Sequence, residues 1–142
     1  FYFYLMKKFT AMLILLALLA CEKNNLLTPQ EVEELITKDI EIIFTTNEPN
    51  YDEVMITYYD FSIGTDIAKA YPFEYDIDGN SLPLKIIFEN YKYKTIRGEG
   101  FRNNFSEAEL KVQLYIDSKL VKERKSNGTS TIFARVNFNY DI

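Results

Sequence analysis

The chain has 142 residues, 47% of them hydrophobic, 26% charged and 15% aromatic, with 16 basic and 21 acidic side chains. That composition fits one ordinary globular domain and excludes a fibrous or highly charged disordered polypeptide. With no His, no Trp and a single Cys, the chain also lacks the means for His-based triads, His-rich zinc sites, CxxC redox pairs and internal disulfides.

In chain order, Met6-Lys7-Lys8 precede an apolar run over 9–20 broken only by Thr10, and Cys21 is followed by the polar Glu22-Lys23-Asn24-Asn25. A positive n-region before an apolar segment shorter than the roughly 20 residues that span a bilayer predicts a secretory signal that is cut off. A buried core helix would instead carry a polar stripe of period 3.6, and this run is apolar all round. Residues 1–5 fit no part of that pattern. They are expected to be an upstream extension of the reading frame, with translation starting at Met6.

Leu18-Leu19-Ala20-Cys21 resembles the lipobox of bacterial lipoproteins. The resemblance implies that residues 1–20 are the signal peptide and that Cys21 is the first mature residue, carrying diacylglycerol on its sulfur. Two or more acyl chains, at about 0.8 kcal/mol per buried CH₂, hold a domain stably at a membrane surface. Glu22, rather than Asp, follows the cysteine, and the expected location is therefore the outer membrane of a Gram-negative envelope.

Without residues 1–20 the chain carries 14 basic and 21 acidic side chains, which argues against a nucleic-acid partner. Residues 22–90 hold 15 acidic and 4 basic side chains, and 91–142 hold 6 acidic and 10 basic. Interleaved strands that neutralise one another account for this asymmetry, with a polarised binding face as the alternative.

Residues 21–38 read as a tether and a short helix over 29–38, because Thr28-Pro29-Gln30-Glu31 offers a capping box and Val32, Leu35 and Ile36 follow at helical spacing. From Asp39 the period becomes two. Ile40, Ile42 and Phe44, then Val54, Ile56 and Tyr58, then Leu84, Ile86 and Phe88, then Leu110, Val112, Leu114 and Ile116 alternate with other residues, as strands do. Tyr91 and Tyr93 alternate with Lys92 and Lys94, and Ile132, Ala134, Val136, Phe138 and Tyr140 place a last strand. Gly64, Gly79, Gly98, Gly100 and Gly128 mark breaks, Pro72 marks an edge strand or kink, and Asp117-Ser118 gives two-residue hairpin spacing. No long helical pattern follows residue 39, so the expected fold class is all-β: a single antiparallel β-sandwich of about seven strands over 39–142.

The run Leu110 to Glu123, then Gly128 and an alternating last strand, with Ala70-Tyr71-Pro72-Phe73 upstream, resembles MmpS-like proteins over residues 40–140. Ser118 stands where that family has a turn Gly, and Phe73 where it has Trp. The resemblance implies an immunoglobulin-like sandwich and an accessory role beside an envelope transporter. It implies no site residue.

Asp76-Ile77-Asp78-Gly79-Asn80 reads as a polar turn rather than a calcium loop, since Ser81 and Ile87 stand where Gly and a bidentate acid are required. No metal and no cofactor is expected. Tyr91, Lys92, Tyr93 and Lys94 form the candidate binding surface, within a wider set of tyrosines that includes Tyr58, Tyr59, Tyr71, Tyr75 and Tyr115. Lys122 and Arg124 would share a second basic face. With no nucleophile beside a base, catalysis is not expected. The expected function is a membrane-anchored, non-enzymatic binding or accessory module with an envelope protein as partner. Capture of carbohydrate or lipid by exposed tyrosines is the alternative.

Overall fold

A computed structural model describes residues 36–142. Leu18, Leu19, Ala20 and Cys21, and residues 29–35 of the expected helix, lie outside them. Ile36 and Thr37 have no regular structure, and Lys38, the last residue of that helix in the sequence reading, already opens a strand.

Ten strands follow: β1 (Lys38–Thr46), β2 (Glu53–Asp60), β3 (Thr65–Pro72), β4 (Leu84–Tyr91), β5 (Thr95–Ile96), β6 (Gly98–Arg102), β7 (Glu109–Ile116), β8 (Lys119–Asn127), β9 (Arg135–Asn137) and β10 (Tyr140–Asp141). One four-stranded sheet has the order β4-β1-β7-β8, the other β3-β2-β6-β9, and β10 pairs with β5. Every pairing is antiparallel. The all-β antiparallel sandwich expected from the sequence is the observed fold.

The two sheets meet through the faces that period two predicts. Ile40, Ile42 and Phe44 of β1 and Leu110, Val112 and Leu114 of β7 form one core with Val54 and Ile56 of β2 and Val136 of β9 from the other sheet, and with Phe138 just beyond β9. Phe44 meets Phe138 edge-on, 6.0 Å between centroids. Each such side chain contributes about 1.5–3 kcal/mol through burial.

Three sequence expectations are corrected. Gly98 and Gly100 are not breaks but lie within β6, where bulky rings need the space: a Cβ on Gly100 would stand 2.5 Å from Cε1 of Phe44 in the facing sheet, and one on Gly98 would overlap the ring of Phe138, just beyond β9. Pro72, expected at an edge strand or kink, does close an edge strand, β3, whose two faces are both largely exposed, so the rest of that strand has no apolar alternation to read. The last strand is interrupted. Ala134, Val136 and Phe138 are buried as expected, but Ile132 is 64% exposed and off that face. Finally, Tyr91 ends β4 and residues 92–94 form a turn rather than a strand.

The Asp117-Ser118 hairpin joins β7 to β8 with both residues at positive φ, 48° and 65°, the twist that a two-residue hairpin requires. Asp117 is held there by β1. Its carboxylate accepts from Asp39 N at 3.1 Å and pairs with Lys38 at 2.6 Å.

Candidate functional site

The ends of the sandwich are built differently. At the end where β1 begins and β2 and β4 finish, two local irregularities gather aromatic rings. The register of β1 against β4 passes from Ile40↔Phe88 to Lys38↔Tyr91, so β4 carries one extra residue. Asn90 adopts φ 54° and its N–H donates to Asp39 Oδ1 at 3.0 Å. A bulge of this kind shifts side-chain parity. It brings Tyr91 beside Phe88, 6.0 Å between ring centroids, although the two are an odd number of residues apart.

The second irregularity is the β2–β3 turn. Asp60 Oδ1 accepts from Ser62 N and Oγ, Gly64 N donates to Asp60 O, and Gly64 has φ 69°. These bonds hold the Asp60 carboxyl below its ordinary value, the Ser62 side-chain bond contributing most. The turn carries Phe61 over Tyr93, stacked at 5.3 Å, and against Tyr59 at 4.8 Å. Tyr93 meets Tyr91 at 5.3 Å, and Phe88 meets Tyr58 at 5.5 Å. Six rings, Tyr59-Phe61-Tyr93-Tyr91-Phe88-Tyr58, thus run without a break from β2 across to β4 of the other sheet and back to β2.

These rings line a groove of about 380 Å³ whose rim includes Asp60, Ser62, Glu89, Asn90 and Lys92. Lys92 Nζ lies 5.7 Å from the Tyr93 centroid, within cation–π range. Burial, assisted by Tyr93 and Asp60, pushes the Tyr91 hydroxyl up to about 12, and that hydroxyl donates to Thr95 O at 2.6 Å. The bond folds residues 92–94 back toward β5.

On the other side of Tyr59 and Phe61 lies a second, more polar concavity of about 510 Å³, lined also by Asp66, Arg97, Glu99, Asn137 and Asn139. Tyr58, Tyr59 and Phe61 border both spaces.

The opposite end is closed by charge. Arg102 is fully buried; its Nε donates to the equally buried Asp52 at 2.5 Å and its Nη2 to Glu48 at 2.5 Å. Nη1 donates to Ser106 Oγ and Ala108 O, both at 2.9 Å. Asp52 also accepts from Thr46 Oγ1 and Glu53 N, each at 3.0 Å, and Ser106 Oγ donates to Glu48. That last bond contributes most to holding the Glu48 carboxyl below its ordinary value, against the opposing effect of burial. Among the described residues no buried side-chain polar atom is left without a partner.

The structure therefore brings Tyr91, Lys92 and Tyr93 together at the groove, and Tyr58 and Tyr59 with them. Lys94 does not line it; its carbonyl accepts from Ile142 N at 2.8 Å. Lys122 leaves the expected basic face, since its Nζ donates to Asn139 O at 2.6 Å and Asn137 Oδ1 at 3.1 Å and so ties the sheets together. Asp76 serves its own turn, accepting from Asp78 N and Asn80 N. Sequence reasoning missed Phe61, Phe88 and the Arg102 cluster as site residues. An aromatic residue inside the polar turn Asp60–Gly64 was the readable signal for Phe61. A scan against protein-family models finds no match for the chain, and a search of curated proteins finds none either.

Proposed function

We propose that this chain is a lipid-anchored lipoprotein of the cell envelope, on the outer membrane of a Gram-negative bacterium, and that its sandwich is a non-enzymatic binding module with the aromatic groove as its ligand site. The location is supported by the lipobox-like Leu18-Leu19-Ala20-Cys21 behind an apolar signal segment. The binding role is carried by one observation: six rings join at one end of the sandwich although none of them belongs to the fully buried core. Tyr58, Phe88 and Tyr91 pack against the edge of that core, yet all six rings line an open space.

An accessory role beside an envelope transporter, which the MmpS-like resemblance implies, has the β3 edge in its favour. That strand is eight residues long and open along one side, the arrangement to which a partner strand can add.

Metabolic labelling with palmitate tests the anchor. The wild type should take up label and sediment with membranes, and Cys21→Ser should do neither; unlabelled wild type in the cytosol contradicts the reading. In-cell crosslinking through a residue introduced at Lys69 separates the two roles. One dominant envelope partner favours the accessory role, and none favours small-ligand capture.

A further inference from the structure

We infer that the aromatic groove and the polar concavity beside it form one two-part site for a neutral oligosaccharide, with Tyr59 and Phe61 as the wall between two sugar-binding positions. The inference rests on the groove being the ligand site proposed above, and adds to it the class of ligand and a second set of contacts.

A pyranose ring has an apolar C–H face and a rim of hydroxyls, each both donor and acceptor. Its binding site needs an aromatic surface beside side chains of both hydrogen-bonding kinds. The polar concavity offers that mixture. Asp66 and Glu99 are acceptors, and Arg97 is a donor with no ion-pair partner among the described residues. Asn139 Oδ1 accepts from Gly98 N at 2.8 Å, and Asn137 Oδ1 accepts from Lys122 Nζ at 3.1 Å. Both amide groups are thus oriented by their oxygens, which leaves their NH₂ groups as donors.

The same lining disfavours the other ligand classes. An acyl chain could fill the aromatic groove, but in the neighbouring space it would desolvate Asp66, Arg97 and two amides without replacing their hydrogen bonds. A polyanion would meet Arg97 but also Asp66 and Glu99. Glu99 lies 3.8 Å from Arg135, which leaves the concavity with charge of both signs and no strong net field. Each space, at about 510 and 380 Å³, is of ordinary size for a small-ligand site.

The experiment is calorimetric titration of the full lipidated protein in neutral phospholipid nanodiscs with cellohexaose, maltohexaose, hexaguluronate and octanoate. At least one neutral hexaose should bind. Tyr59→Ala and Asp66→Asn should each weaken it about tenfold, the size of one lost ring contact or charged hydrogen bond, while the urea midpoint stays near that of the wild type. Phe61→Tyr, which keeps the ring, should retain binding. Preference for hexaguluronate overturns the assignment to a neutral saccharide, and octanoate binding that Tyr93→Ala abolishes with no hexaose bound overturns the saccharide assignment altogether; either leaves the groove as a ligand site. Hexaose binding indifferent to Tyr59→Ala and Asp66→Asn overturns the two-part site. No probe bound at all contradicts both readings.

Discussion

The two ends of this sandwich use their polar and aromatic residues in opposite ways. At the Arg102 end, two loops converge and every buried charge is matched: one guanidinium serves two carboxylates, a hydroxyl and a carbonyl. Nothing is left over for a ligand. At the Tyr91 end, backbone irregularities at Asn90 and Gly64 place rings where they touch one another and remain open on one side. Saturated hydrogen bonding makes a structural clasp, whereas a surplus of unsatisfied surface makes a site, and the contrast yields predictions for each end.

The largest expected effect is at the clasp. Arg102→Met strands the buried Asp52 carboxylate and should cost about 3–5 kcal/mol of stability, read as a lowered urea midpoint, while the remaining folded protein keeps its groove. Gly100→Val, between the ends, drives a side chain into Phe44 and Val54 and should cost about 1–3 kcal/mol by overpacking.

Acid should loosen the same clasp. Glu48 has a folded pKa below its ordinary 4.5, so its contribution is fully present above that value and is lost as pH falls through the depressed one. Urea midpoints measured down through this window should fall for the wild type and fall less for Glu48→Gln. The smallest effect belongs to the open end. In a phenolate absorbance titration one tyrosine lost in Tyr91→Phe should be among the last to ionise, near 12. The raised value means that Tyr91 favours the folded state below its unfolded pKa, an advantage lost as pH rises through about 12.

Much of the fold was legible because most strands bury one face. Ile40-Ile42-Phe44 and Leu110-Val112-Leu114 announce themselves by alternation, and Asp117-Ser118 by its spacing. Of β3 only Pro72 gave a sign, because an edge strand wetted on both faces has no period, and β6 was hidden because its two glycines make room for Phe44 and Phe138 from distant parts of the chain. The site was half legible. Tyr91, Lys92 and Tyr93 were singled out as an aromatic-basic surface, but as neighbours on a strand. The bulge at Asn90 that turns Tyr91 toward Phe88 depends on a register fixed by β1, which local sequence does not encode. Arg102 was invisible for a related reason: its partners Glu48 and Asp52 lie 54 and 50 residues away, and an arginine beside Asn103-Asn104 reads as surface.

Division of labour between the ends is tested most directly by mapping amide chemical shifts on titration with a neutral oligosaccharide. The expected shifts fall on residues 57–66, 88–99 and 137–139 and spare 46–54 and 102–108. Shifts centred on the Arg102 end, or spread evenly over both, would contradict the account.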